Sequence, residues 1–136
     1  MFLKDNLIYL IANLSCKNLN RNYLHGTELQ DRQFSNLLHE AKNTQFGLDH
    51  DFKSIKNHAD YKARIPVRDY EDFIPYINQI REGKENILWK GLPKYFAKTS
   101  GTTSGTKYIP LTKDSIKNHL NSARNLLLHY TVKRPK

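Results

Sequence analysis

Seven consecutive small residues, Ser100-Gly101-Thr102-Thr103-Ser104-Gly105-Thr106, separate two short runs rich in aromatic and β-branched residues. The runs are Tyr95-Phe96-Ala97-Lys98-Thr99 and Lys107-Tyr108-Ile109-Pro110-Leu111, and both read as strands. Pro110 cannot donate to a ladder, which places the second near an edge or a strand end. No other part of the chain shows strand patterning. Two strands alone do not make a stable sheet, so the expectation is an α/β fold of which this chain supplies one part. Within residues 1–136 the composition of elements is α+β: helices, then a strand–loop–strand, then a helix. The remaining strands are expected after Lys136, and residues 1–136 are read as the N-terminal part of a single, incomplete domain.

The helices announce themselves by spacing. Residues 3–15 read as a first helix. Phe34, Leu37, Leu38 and Ala41 fall at i, i+3, i+4 and i+7 and give a second one apolar face, with Gly47 as its expected stop. Short turns are expected around Phe52, Ile55 and Tyr61. Pro66 forces an extended stretch. Asp69 then caps a helix whose inward positions are Phe73, Ile74, Ile77 and Ile80, with a kink or a fresh first turn at Pro75 and an end at Gly83. A last helix places Ile116, Leu120, Ala123, Leu127 and Tyr130 on one face, mostly as core, after a cap at Thr112.

Composition narrows the class. At 38% hydrophobic and 26% charged residues the chain reads as a soluble globular protein rather than a disordered one. No apolar run approaches the roughly 20 residues of a membrane span. Leu7-Ile8-Tyr9-Leu10-Ile11-Ala12 is apolar, but Asp5 cancels Lys4 before it and Asn13 interrupts it, so an amphipathic helix is expected rather than an export signal. One cysteine, Cys16, fits a reducing cytoplasm. The formal net charge of +9 would suit an anionic partner, yet the lysines and arginines are scattered, with no basic run and no basic stripe interleaved with aromatics. No nucleic-acid partner and no membrane association are expected from it.

The loop carries the chemistry. Glycines let a backbone turn several N–H groups toward one point, hydroxyls add donors there, and Lys107 at the exit adds a positive charge. Such a set forms a cradle for a polyphosphate; a polar hairpin turn of small residues has the same composition. It is not a Walker loop, which requires Gly before the lysine and Ser or Thr after it, where this chain has Thr106 and Tyr108. A dinucleotide-binding G-x-G-x-x-G is absent.

Thr99-Ser100-Gly101-Thr102-Thr103-Ser104-Gly105 followed by Lys107 resembles the phosphate loop of the adenylate-forming superfamily, which includes acyl-CoA synthetases and luciferases. Flanking segments narrow the likeness: Glu40-Ala41…Thr44-Gln45-Phe46-Gly47…His50…Phe52…Ile55, Val67…Tyr70-Glu71…Pro75-Tyr76-Ile77, Asn86-Ile87-Leu88-Trp89…Gly91, and Phe96-Ala97-Lys98 leading into the loop. Together, from about Gln33 to Thr112, they resemble the Gretchen Hagen family of auxin-responsive acyl acid amido synthetases and their bacterial relatives. The resemblance implies a cytoplasmic ATP-dependent ligase using ATP and Mg2+. A carboxylic acid and ATP give an acyl-adenylate and pyrophosphate, and an amine, often of an amino acid, then takes the acyl group as an amide. It further implies that Ser100, Thr102 and Thr103 offer hydroxyls to the phosphates, that Gly101 and Gly105 offer backbone, that Ser104 belongs to the same ATP-binding set, and that Lys107 is the phosphate-side cation. In the superfamily the adenine, ribose and metal contacts and a mobile C-terminal domain follow this loop, so residues 1–136 alone are expected to be inactive, and no catalytic or metal residue is assigned among them.

Two other readings share some of these features. A different adenylate former, such as an acyl-CoA ligase, would carry the same loop. A non-catalytic, basic nucleic-acid-binding or interaction domain would explain the net charge alone. The six histidines, His25, His39, His50, His58, His119 and His129, show no metal-ligand spacing and read as surface or helix-end residues. Asp69, Glu71 and Asp72 read as a cap and a solvated face, Cys16 as inert, and Trp89 as a packing anchor.

Overall fold

The computed structural model describes residues 2–100 and 105–133, with side chains from Asn6 onward. The elements in order are α1 (Phe2–Leu24), α2 (Gly26–Ala41), α3 (Gln45–Asp49), a single 3-10 turn (Phe52–Ser54), α4 (His58–Arg64), α5 (Tyr70–Arg81), β1 (Tyr95–Ser100), β2 (Thr106–Leu111) and α6 (Lys113–Lys133). The mixture is α+β, with a two-stranded antiparallel sheet among the described residues. The chain divides into two compact units, one formed by Arg32–Lys113 and the other by the segments on either side of it.

The middle unit is built around Leu38, Ala41, Phe52 and Ile55, with Phe34, Phe46, Tyr61, Ile65 and Trp89 packed against them. Spacing predicts most of this: Phe34, Leu38 and Ala41 are the inner stripe of α2, and Trp89 is an anchor as expected. Leu37, on the same stripe, is nearly half exposed.

Gly47 does not stop α2. That helix ends at Ala41, and Gly47 sits buried inside α3. The cause is Thr44, whose hydroxyl donates to the Ala41 carbonyl (2.7 Å) and accepts from the Gly47 N–H (3.0 Å). One side chain thus closes α2 and caps α3. It is 1% exposed, so neither bond is shared with solvent. The next two donors at the start of α3 are also satisfied: Gln45 N–H donates to the Asn86 carbonyl (2.8 Å) and Phe46 N–H to the Ile87 carbonyl (3.0 Å). Segments 44–47 and 86–89, far apart in sequence, meet through the orphan amides of a helix N-terminus.

In α5 the expected cap is present as a full capping box between Asp69 and Asp72. The helix runs through Pro75 as one element. Ile77 and Ile80 are buried, whereas Ile74 is exposed. At its end, Gly83 N–H reaches the Ile80 carbonyl and Lys84 N–H the Gln79 carbonyl (both 3.0 Å), a Schellman closure with Gly83 at φ +90°.

In the other unit α1 is longer than expected. It runs past residue 15 to Leu24, and Asn13 within it donates from Nδ2 back to the Tyr9 carbonyl (2.9 Å). Ala12 is fully buried. The apolar face expected for α6 is not core among the described residues: Leu120 and Leu127 are 66% and 67% exposed, and no α6 residue is buried.

Candidate functional site

The strand–loop–strand is a β-hairpin. β1 and β2 pair antiparallel from Tyr95↔Leu111 through Ser100↔Thr106. The chain returns through residues 101–105, the connection that carries most of the expected phosphate contacts. Gly101, Thr102, Thr103 and Ser104 lie outside the described residues. Of the expected set, Ser100, Gly105 and Lys107 are placed.

Ser100 is the last residue of β1, exposed, and opposite Thr106. Gly105 stands at φ +76°, a conformation that a β-branched residue adopts only under strain, and a Cβ there would meet open space. Its need for glycine is therefore a matter of backbone angle rather than crowding. Lys107 is half-buried on β2. Its Nζ lies 5.2 Å from the centroid of the Tyr70 ring, within the range of a cation–π contact.

Strand alternation sorts the neighbours of the loop. Ser100 and Thr106 share a face with Lys98 and Tyr108, and Thr99 and Lys107 share the other. The two hydroxyls at the hairpin mouth thus have Lys98 as their same-face cation, while Lys107 serves the opposite face. Sequence reading names Lys107 alone. Counting back two residues from Ser100 is the signal that finds Lys98.

The hairpin is held by α5. The Tyr108 N–H donates to the Tyr70 hydroxyl (2.7 Å), and that hydroxyl reaches back to the Tyr108 carbonyl (3.4 Å). The Arg81 guanidinium lies over the Tyr108 ring, 4.8 Å from its centroid.

A second polar cluster joins α3 to α5. Asp49 accepts from Tyr76 Oη and from Gln45 Nε2, both at 2.7 Å. His50 ends α3, one of the two places expected for the histidines, and is buried there (8% exposed). Its ring stacks on Phe46 at 4.2 Å. Arg68 Nη2 lies 2.8 Å from His50 Nε2, and since a guanidinium only donates, Nε2 accepts. His50 Nδ1 then carries the proton and donates to the Phe46 carbonyl at 2.8 Å.

The Tyr76 hydrogen bond, ahead of the Gln45 hydrogen bond and the Arg68 charge, holds the Asp49 carboxyl below its ordinary value of 3.8. Burial, followed by the Asp49 hydrogen bond and charge, pushes the Tyr76 phenol above its ordinary 10.0. The lowered Asp49 value means stability that is present above 3.8 and is lost as pH falls through the folded value. The raised Tyr76 value means stability present below 10.0 and lost as pH rises through its folded value. Tyr76→Phe should therefore flatten the fall in melting temperature between about pH 5 and about pH 3. Asp51, lowered mainly by its Ser54 hydrogen bond, contributes equally to both proteins. Parallel curves for parent and variant would show that Tyr76 does not control Asp49.

Among the described residues, no group of three His, Cys, Asp or Glu side chains is placed to hold a metal ion, and no helix is long and apolar enough to cross a membrane. Residues 16–135 match the family model for the GH3 family N-terminal domain. No curated protein matches the sequence.

Proposed function

Because the chain belongs to the GH3 family of acyl acid amido synthetases, we propose that it supplies the ATP-phosphate-binding hairpin of an enzyme that adenylates a carboxylic acid and passes the acyl group to an amine. The observation that carries the reading is the hairpin itself. A Ser/Gly/Thr connection leaves an antiparallel ladder at Ser100↔Thr106, with Gly105 at positive φ and lysines on both faces, in a chain that matches the family from residue 16 to residue 135.

In this reading the acid's carboxylate attacks the α-phosphorus of ATP. The bond from that phosphorus to the bridging oxygen of the β-phosphate breaks, and negative charge accumulates on the departing pyrophosphate. On this reading the backbone N–H groups of Gly101 and Gly105 and the hydroxyls of Ser100, Thr102 and Thr103 have the role of donors to that charge, and Lys107 adds an ammonium. The amine of an amino acid or related acceptor then attacks the acyl carbon, forming the amide bond and releasing AMP. Among the described residues no carboxylate group is placed to cage Mg2+, and the ion would accompany the triphosphate. We place the protein in the cytoplasm and take its partners to be the small-molecule acid and amine.

Acid-dependent exchange of labelled pyrophosphate into ATP by the full-length enzyme tests the reading. Lys107→Ala should slow exchange by about ten- to a hundredfold, the worth of one partly solvated charge–phosphate contact. Exchange that proceeds without a carboxylic acid, or that is absent while the protein binds nucleic acid in a steeply salt-dependent manner, would replace this function with another.

A further inference from the structure

Lys107 and the arm that carries it are not held by the hairpin alone. In an antiparallel ladder the N–H and C=O of one residue point to the same side. At Tyr108 both are turned to a single atom, the Tyr70 hydroxyl, which accepts from the N–H at 2.7 Å and faces the carbonyl at 3.4 Å. A phenol can do both because its oxygen accepts while its hydrogen donates. The same side chain presents its ring to Lys107 Nζ at 5.2 Å. Tyr70 is also the first residue of α5, locked by the Asp69–Asp72 capping box before it. Its backbone is thus fixed by one interaction, its hydroxyl by the β2 main chain, and its ring by the lysine.

We infer that Tyr70 is a positioning residue for ATP: its hydroxyl sets β2 at the mouth of the loop, and its ring parks the Lys107 ammonium beside the phosphate path. The inference rests on the proposed function and adds a residue to it. A cation over an aromatic face is held without a counter-ion. It keeps its charge available and can leave the ring for an arriving phosphate without first breaking an ion pair. An aspartate or glutamate in place of Tyr70 would neutralise the lysine in advance.

The test is pyrophosphate exchange by the full-length enzyme with Tyr70→Phe, Tyr70→Leu, Lys107→Ala and the Tyr70→Leu/Lys107→Ala pair. Tyr70→Phe keeps the ring and should raise KM for ATP about three- to tenfold, as expected for a lost hydrogen bond to an otherwise unpartnered amide. Tyr70→Leu loses the ring as well and should raise it about ten- to thirtyfold. KM for the acid should stay within about twofold in both, because positioning acts on the ATP side alone. In the Lys107→Ala background Tyr70→Leu should do measurably less than in the parent, since part of its action runs through that lysine. Full additivity, or equal rises in both KM values, would overturn the inference and make Tyr70 a general support. A Lys107→Ala enzyme with parental KM for ATP would sink the assignment of Lys107, and this inference with it, which separates that failure from the first. If Tyr70→Leu does not fold, hydrogen exchange in Tyr70→Phe decides: the Tyr108 amide should exchange about tenfold faster or more. A released Tyr108 amide with an unchanged KM for ATP would equally refute the positioning role.

Discussion

Gly47→Ala should unfold the middle unit or bring it close to unfolding. A Cβ at residue 47 would lie 2.1 Å from the Ala41 carbonyl oxygen and 3.1 Å from the Lys42 Cα, both backbone atoms. No side chain can swing aside to make room, so either α3 or the end of α2 must move. Either movement opens the Thr44 hydroxyl bridge between Ala41 and Gly47 and pulls Gln45 and Phe46 from the Asn86 and Ile87 carbonyls. Overpacking costs about 1–3 kcal/mol and a lost N-cap about 0.5–2 kcal/mol, against a total stability of about 5–15 kcal/mol for a domain. The melting temperature should fall by roughly 15 °C or more. Gly26→Ala is the control, because a Cβ there meets nothing within 4 Å; it should leave the melting temperature unchanged or slightly raised. Thermal melts followed by circular dichroism check both, and a Gly47→Ala protein melting within about 2 °C of the parent would mean that the α2–α3 corner yields at little cost.

Gly101→Val should cost adenylation about a hundredfold or more. The motivation is the loop's composition and its place one residue beyond Ser100, where β1 ends. In the proposed reading, a branched side chain at residue 101 would crowd the phosphate oxygens and narrow the backbone angles open to a glycine. Valine keeps the backbone N–H but would misdirect it, and a donor lost to a developing anion is worth about 100- to 1,000-fold in rate, which exceeds the loss expected for Lys107→Ala. The full-length enzyme separates the two half-reactions. Pyrophosphate exchange should collapse, while amide formation from a supplied acyl-adenylate and an amine should persist at a rate near the parent's. A folded Gly101→Val enzyme that exchanges pyrophosphate at the parental rate would reduce the loop to an ordinary hairpin.

Legibility in the sequence followed the range of the interactions. Both strands were readable to within a residue at each end, since β-branched and aromatic runs bounded by a glycine-rich stretch are a local signal. So was the Asp69 cap, three residues from its partner. Gly47 was misread because a glycine after an apolar helical stripe has the composition of a stop. The hydroxyl that makes it an interior residue of α3 belongs to Thr44, and the atom that excludes a Cβ belongs to Ala41. The first helix, read over residues 3–15, runs on to Leu24, and Asn13 inside it bonds back to the Tyr9 carbonyl.

What the sequence determined by itself is the inventory: α+β elements in order, a small-residue connection between two strands, and enough ordered motifs to place the chain in its family. These are short-range patterns, set by periodicity, propensity and capping. What only the tertiary structure decided is which distant residues share work. It joined Gln45 and Phe46 to Asn86 and Ile87, Asp49 to Tyr76, His50 to Arg68, and Tyr70 to Tyr108 and Lys107. Each pairing satisfies a polar group or places a charge that the local backbone leaves without a partner, and the partner is chosen by the packing of helices and hairpin, which no spacing along the chain encodes.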